Sequence, residues 1–449
     1  MGLMNLVALL IVFFLMAAAI IFLVAKLLLY RNEFKKIELQ SEEFDQDLKQ
    51  KESRIEELEA NIKLKLEKAR NVHQRMLPDK LAEPEDYFVS DYYQPAEYIG
   101  GDYYNFFKID HGAMDPFFDQ YLLYFFDVSG HGIDSTLLSI FVNGSIENYF
   151  KLRHNPGEKI STRELMNYID RQYQKEGFPD DYLVCLFIAV LDRKKNTLSY
   201  SSGGFQYPIY KLDAEGNMEE INIGGLPIST ALGALSDSRQ EKTVNFKKNT
   251  TLFLSTDGLL EQGRGSQIYY QQLQQLLKRY KFLPAPFLND LIRSDFYNFT
   301  GDNQGEDDIT YLLLERPEGE IINFKLEQEN FENKKAEIIE FLNQSLWARH
   351  SQLQTLREII LTQLKKTGPE IKIKALNNQQ LLMFCLENNE GGWEALIKNF
   401  PSLNSIAEKK INLSGNAERI IFNRKEIYFS LNSSNSKIYL MLIKKDNFN

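Results

Sequence analysis

The chain has 449 residues and a formal net charge of −10. That length exceeds one average domain, so two or three units are expected, and the acidic balance argues against nucleic acid as a partner. The two cysteines, Cys185 and Cys385, sit far apart in apolar runs; both read as buried thiols of a reducing compartment, not as a disulfide framework.

The first feature in chain order is Gly2 to Ala25, nearly unbroken apolar sequence interrupted by Asn5. A helix of about 20 such residues crosses the hydrocarbon core of a bilayer. Lys26, Arg31, Lys35 and Lys36 follow it and nothing basic precedes it, which puts the remainder in the cytoplasm. A cleaved signal peptide would have a basic start, a shorter apolar core and a small-residue cleavage site. Here the basic start is missing, and Leu27-Leu28-Leu29-Tyr30 is no cleavage site. Residues 1–30 are therefore expected to be a single-pass anchor in the inner (cytoplasmic) membrane.

Asn32 to Met76 has no Pro or Gly and is rich in Glu, Lys, Gln and Leu, the composition of a long helix. Phe44, Leu48, Ile55, Leu58, Ile62, Ala69, Val72 and Met76 fall on alternating four-three spacing, with Lys51 and Lys65 as polar breaks. Such a seam predicts a parallel coiled coil over residues 31–76, and hence a homodimer. The competing reading is a single solvated helix docked on the next domain. Proline ends the helix at Leu77-Pro78.

Residues 77–316 then alternate strand and helix patterns. Val89 to Gln94 begins the first strand, Tyr98 to Lys108 holds a turn, and Asp110 to Asp119 reads as a loop. Ile133 to Leu152 and Ser161 to Lys175 read as helices, broken by Asn155-Pro156-Gly157. Tyr182 to Leu191 and Thr197 to Ser201 make a hairpin, and Gln206 to Leu212 is another strand. Gln267 to Tyr280 and Pro286 to Phe296 read as late helices, and Ile309 to Leu314 as a closing strand. After Arg316-Pro317 the composition shifts. Residues 317–449 read as a smaller, separate α/β domain, with helices over Lys334 to Trp347 and Gln352 to Leu364. Its strands are expected over Ile371 to Ala375, Gln380 to Leu386, Glu418 to Phe422, Ile427 to Leu431 and Lys437 to Ile443.

Chemistry concentrates in Tyr121 to Ser135, YLLYFFDVSGHGIDS. The apolar run Tyr121 to Phe126 reads as a buried strand. It ends in Asp127, and the chain turns through Val128-Ser129-Gly130-His131-Gly132, whose glycines let backbone approach a ligand. Taken alone, this is equally a strand-to-helix turn capped by Asp. Leu252 to Leu260, LFLSTDGLL, repeats the theme with Asp257 and Gly258. Gly305 to Leu314, GEDDITYLLL, puts Asp307 and Asp308 before a strand, and Ile99 to Tyr104, IGGDYY, sets Asp102 after two glycines. Carboxylates converging without His or Cys select Mg²⁺ or Mn²⁺ over zinc. Two such ions can share a water and make it a nucleophile.

GDYY, DVSGHG, STDGL and DDIT, in this order, resemble the motifs of metal-dependent protein serine/threonine phosphatases of the PPM type, in their SpoIIE/RsbU-like bacterial branch. The resemblance spans Asn71 to about Glu315. It implies an α+β fold, an αββα two-sheet sandwich, with a binuclear Mn²⁺/Mg²⁺ centre between the sheets. It implies that Asp127 bridges both metals, that the Val128 carbonyl binds one, and that Asp257 and Asp307 complete the other. Asp102 matches the acidic residue near the second metal, acting through water, and Asp308 matches a supporting position behind the metals. The stretch Val72 to Pro78 looks like the regulatory linker helix that opens the family's catalytic domain. Gly224-Gly225-Leu226-Pro227 resembles its Gly-Leu-Pro-Leu-Gly turn. Two departures touch the substrate side: Asn105 stands where the family often has an acid, and Ser201 to Pro208 lacks the family's histidine.

The reaction this resemblance implies is hydrolysis of phosphoserine or phosphothreonine, with a phosphorylated anti-sigma factor antagonist as substrate and no phosphoenzyme. His131 reads as a structural hydrogen-bonder in its turn more readily than as a general acid. The alternative is a catalytically inactive scaffold that uses the fold to bind a signalling partner; such a copy tends to lose a metal ligand, and Asp127, Asp257 and Asp307 are all present. The last domain faintly resembles the GHKL-type ATPase fold. A magnesium-binding Asn and a glycine-rich lid have no clear match there, so partner binding or a structural role is expected of it.

Overall fold

A computed structural model describes residues 2–345 apart from 79, 131, 153, 214–216, 234–238, 265–266, 282, 302–306 and 327–329. Beyond them it describes residues 357, 360, 371–377, 381–388, 427–431 and 437–443. The chain divides into two compact units, residues 1–71 and 72–449.

The first unit belongs to α1 (Gly2–Gln74), one unbroken helix; nothing in its sequence after Gly2 breaks it. Its segment Leu9–Ile37 is long and apolar enough to cross a membrane. Further on, Phe44, Leu48, Ile55, Leu58 and Ile62 are all exposed. The four-three seam from Phe44 to Ile62 is thus exposed.

In the second unit the helices are α2 (Ile133–Leu152), α3 (Thr162–Glu176), α4 (Asp257–Leu260), α5 (Tyr269–Tyr280), α6 (Ala285–Thr300) and α7 (Phe331–Gln344). The first nine strands are β1 (Phe88–Gln94), β2 (Tyr103–Lys108), β3 (Gln120–Val128), β4 (Val184–Asp192), β5 (Thr197–Gly203), β6 (Ile209–Leu212), β7 (Met218–Ile221), β8 (Lys242–Asn245) and β9 (Thr250–Ser255). A small ribbon, β10 (Gly263–Arg264) with β11 (Gln267–Ile268), precedes β12 (Ile309–Arg316). The predicted loop over Asp110 to Asp119 contains a short 3-10 turn, Gly112–Phe117. Ser161, predicted as the first residue of a helix, is instead the N-cap of α3: its hydroxyl accepts from the Glu164 N–H at 3.3 Å.

Two five-stranded antiparallel sheets form the centre, in the orders β1-β12-β9-β6-β7 and β2-β3-β4-β5-β8. Strand alternation explains why both are apolar on both faces. In β3, Leu123 and Phe125 enter the layer between the sheets, where they meet Leu252 and Leu254 of β9 and Leu312 and Leu314 of β12. The intervening Leu122, Tyr124 and Phe126 face α2 and α3, packing with Val142, Ile146, Leu165 and Ile169. On the far side, Phe253 and Leu313 pack with Leu273, Leu277, Leu288 and Ile292 of α5 and α6. The result is the αββα sandwich that the sequence implied.

A third sheet, β13-β14-β15-β17-β16, is built from Glu320–Leu326, Ile371–Asn377, Leu381–Asn388, Lys437–Ile443 and Ile427–Leu431 respectively. Sequence reasoning missed its first strand. Most of the predicted helix over 352–364, and all of the strand Glu418 to Phe422, lie outside the described residues. Leu376, Met383, Cys385 and Met441 share the buried cluster of α5 and α6. Lys374 donates to the carbonyls of Pro84, at 3.0 Å, and Tyr87.

Glu315, near the end of β12, is buried and accepts the Ala285 N–H at 2.6 Å. Burial pushes its carboxyl up to about 7, against the opposing pull of that N–H and of Lys374. The folded state thus holds a proton that the unfolded chain, titrating near 4.5, has released. Stability should fall as pH rises from about 4.5 to about 7. Glu315→Gln keeps the acceptor oxygen and should remove this part of the slope, a gain of at most a few kcal/mol at pH 8. Parallel urea titrations at pH 5 and pH 8 check it; a variant whose midpoint gains nothing at pH 8 relative to pH 5 refutes it.

Candidate active site

The sandwich brings the four predicted acidic stretches to one end of the two sheets. Asp127 is the last residue but one of β3, opposite Cys185 of β4. Being odd-numbered like Leu123 and Phe125, it belongs to the face of the strand that looks between the sheets. Asp257 opens α4 directly after β9. Asp307 and Asp308 immediately precede β12, which pairs with β9 from Tyr311↔Ser255 onward. Asp102 immediately precedes β2, whose Tyr103 is registered with Phe126. Gly130 and Gly132 have φ of 87° and 92°, so the turn after Asp127 uses the left-handed backbone its glycines allow. His131 lies outside the described residues.

The carboxyl groups act on one another strongly. Burial raises Asp127 to about 8, with further contributions from Asp257, Asp307 and Asp308. Asp102 is held well above the carboxylate range by burial and then by Asp127 and Asp308. Asp257 is raised by burial and then by Asp307 and Glu261. Cys185 is pushed up to about 12 by burial and by the same acids. These groups repel without reaching ligand spacing: among the described residues no three His, Cys, Asp or Glu side chains close to a metal-holding set.

Within the cluster the aspartates divide by their hydrogen bonds. Asp102 is 1% exposed, and its Oδ2 accepts from the hydroxyls of Thr256, at 3.0 Å, and Thr310. Asp308 accepts from the backbone N–H groups of Ala96 at 2.8 Å and Gly101 at 2.6 Å, which fixes the loop that carries Asp102. Asp307 is exposed, whereas Asp127 and Asp257 are half-buried. The Val128 carbonyl lies 2.7 Å from where a Cβ on Gly101 would stand, so the glycine lets the two strand ends close together. The donors brought together are carboxylate and carbonyl oxygens. That set fits hard divalent cations, and a buried group of like charges needs either protons or cations to exist at neutral pH.

A family model for stage II sporulation protein E (SpoIIE) matches residues 119–317, which hold Asp127, Asp257, Asp307 and Asp308. This segment is a SpoIIE-type domain. The chain is 22% identical over 261 residues to phosphoserine phosphatase RsbU of Bacillus subtilis (strain 168), covering 58% of this chain and 72% of that protein. Among solved structures, the SiaA-PP2C domain of Pseudomonas aeruginosa is 20% identical, covers 57% of this chain and 98% of its own, and superposes with a TM-score of 0.46. The RsbU and RsbW domains of a Mycobacterium tuberculosis protein are 15% identical over 79% of this chain and 92% of theirs, with a TM-score of 0.43.

Sequence reasoning about the SpoIIE-type domain named its acids but not their supports. Thr256 and Thr310 were inside the quoted motifs STDGL and DDIT. Their joint role depends on register: the Thr256 N–H donates to the Thr310 carbonyl at 3.0 Å, which sets both hydroxyls on Asp102. Cys185 was read as a buried thiol only, and its place opposite Asp127 follows from the hairpin pairing of β3 with β4.

Proposed function

We propose that the chain is a membrane-anchored protein phosphatase that hydrolyses phosphoserine or phosphothreonine on a signalling protein. The observation that carries this reading is the group of aspartates at the ends of β3, β9 and β12, where every charge raising Asp127 is another carboxylate. Two Mn²⁺ or Mg²⁺ ions would be held by Asp127, the Val128 carbonyl, Asp257 and Asp307, with Asp102 beside them. Such ions supply Lewis acidity that activates water as a nucleophile and offsets charge on a phosphoryl group. The protein's share is positional. Thr256 and Thr310 hold Asp102, Asp308 holds the Gly101 loop, and the sandwich keeps the three metal-binding acids at one end of the sheets. The relative RsbU is named a phosphoserine phosphatase. The motif resemblance adds a phosphorylated anti-sigma factor antagonist as the substrate class.

The exposed apolar segment Leu9–Ile37 supports anchoring in the cytoplasmic membrane, and the uncovered seam from Phe44 to Ile62 supports pairing of two copies through the helix. One experiment tests the reading. Membranes containing the full chain should release phosphate from a phosphoserine peptide with Mn²⁺, stop on adding EDTA, and yield the activity to detergent but not to high salt. Release that persists in excess EDTA, or activity found in the soluble fraction, refutes the corresponding half.

A further inference from the structure

Near the aspartate cluster five large apolar side chains are exposed. Ile133 and Leu137, one turn apart at the start of α2, are 52% and 60% exposed; Leu183 is 36%, Leu226 51% and Leu232 40% exposed. Single exposed leucines need no explanation. These five sit on segments joined to one another and to the end of β3, which carries Asp127. The Ser129 N–H donates to the Leu183 carbonyl at 2.9 Å, and the Leu183 N–H to the Ser129 hydroxyl at 2.8 Å. Val184 and Ile228 exchange hydrogen bonds of 2.9 and 3.0 Å. The Tyr182 hydroxyl donates to Asp134 at 3.1 Å, closing the start of α2 onto the same loop.

The loop that presents Leu226 and Leu232 is fixed. Arg239, 5% exposed, donates to the Leu226 carbonyl at 2.6 Å and lies 3.6 Å from the buried Asp170. Gln174 of α3 donates to the Ser229 carbonyl at 2.7 Å. A buried cation and a side-chain amide thus hold the backbone down while the two leucines stay in solvent. Around them Asp134, Asp180 and Asp181 are exposed carboxylates.

We propose that this surface grips the polypeptide on either side of the phosphorylated residue, and that it selects apolar, non-acidic flanks. The inference rests on the phosphatase reading and adds the substrate class to it. At the rim an approaching phosphopeptide meets the exposed carboxylates Asp134, Asp180 and Asp181, so rim electrostatics work against binding, and acidic flanks would add to that repulsion. Apolar burial is what the rim offers instead: covering these side chains favours binding before the costs of ordering. The polypeptide carrying the phosphate is the occupant that continuity with the Asp127 turn favours.

The test uses the full chain in detergent with Mn²⁺ and three substrates: para-nitrophenyl phosphate, and two phosphoserine peptides of equal length and charge. One peptide has leucine at the two positions on each side of the phosphoserine, the other serine. The leucine-flanked peptide should show a kcat/KM about tenfold higher. In Leu226→Ser/Ile133→Ser the ratio of the two peptides should collapse towards one. In Leu152→Ser, altered at the other end of α2, it should stay as in the parent. No hydrolysis of any substrate would sink the phosphatase reading itself. Hydrolysis of para-nitrophenyl phosphate without discrimination between the peptides overturns this inference alone, whether or not the double variant folds. A double variant that halves the particle mass in sedimentation and keeps the peptide ratio also overturns it, assigning the surface to a second copy.

Discussion

Asp127→Asn is expected to lower manganese-dependent phosphate release by about 10³-fold or more, while leaving the metal-free protein folded and more stable. The two effects have one cause. Asp127 is raised to about 8 by loss of solvation, with Asp257, Asp307 and Asp308 all disfavouring its charge. A group whose folded pKa lies above its unfolded value takes up protons on folding, so it weakens the fold as pH rises from about 4 towards 8. The neutral amide removes that penalty and fits the same space. It also removes one unit of the negative charge that a divalent pair needs. Two measurements separate the outcomes: phosphate release with Mn²⁺, and the rise in Tm that Mn²⁺ produces by binding the native state. A variant with the parent's rate and the parent's manganese-induced Tm shift would show that Asp127 holds no metal.

Gly258→Ala should be the most damaging of the methyl-sized changes near the site. A Cβ there would stand 2.0 Å from the Asp308 carbonyl oxygen and 2.9 Å from its carbon. Both are backbone atoms at the entry to β12, so neither can swing aside. Alanine would otherwise favour α4 by about 1 kcal/mol through helix propensity. The overlap costs about 1–3 kcal/mol and forces the strand entry to move, so the steric effect wins. Moving that entry displaces Asp307 relative to Asp257, and a misplacement of about 1 Å costs on the order of 10²-fold in rate. Chemical denaturation and steady-state kinetics check the two parts together. An alanine variant as active and as stable as the parent would mean that the two turns are looser than their closeness implies.

The central layers were legible because their apolar runs are long and punctuated. Ile133 to Leu152 was found to the residue, and in the third sheet Ile427–Leu431 and Lys437–Ile443 were found with both ends correct. β2 was not read as a strand because its YYNFFK follows the Asp102 turn without a polar break. The edge strands β7 and β8, MEEI and KTVN, carry too few apolar residues to show periodicity. β13 was hidden by Pro317, which reads as a domain boundary. In the structure that proline lies in the short connection from β12 to a strand with Phe324 and Leu326 buried. Around the site, residue types announced the acids. What sequence could not carry was cross-strand register, and the supports of Asp102 and Asp308 are matters of register: Thr256 against Thr310, and the Gly101 amide against a carboxylate 207 positions away.

The covering of α5 and α6 by the last sheet has a practical corollary. Composition invites a cut at Arg316-Pro317 to obtain the catalytic part alone. Leu376, Met383, Cys385 and Met441 share one dry cluster with Leu273, Leu277 and Ile292, so a fragment ending at that point would carry a bared greasy flank. Such a preparation would precipitate or stick to chaperones, and its poor behaviour would say nothing about the chemistry at the other end of the sheets.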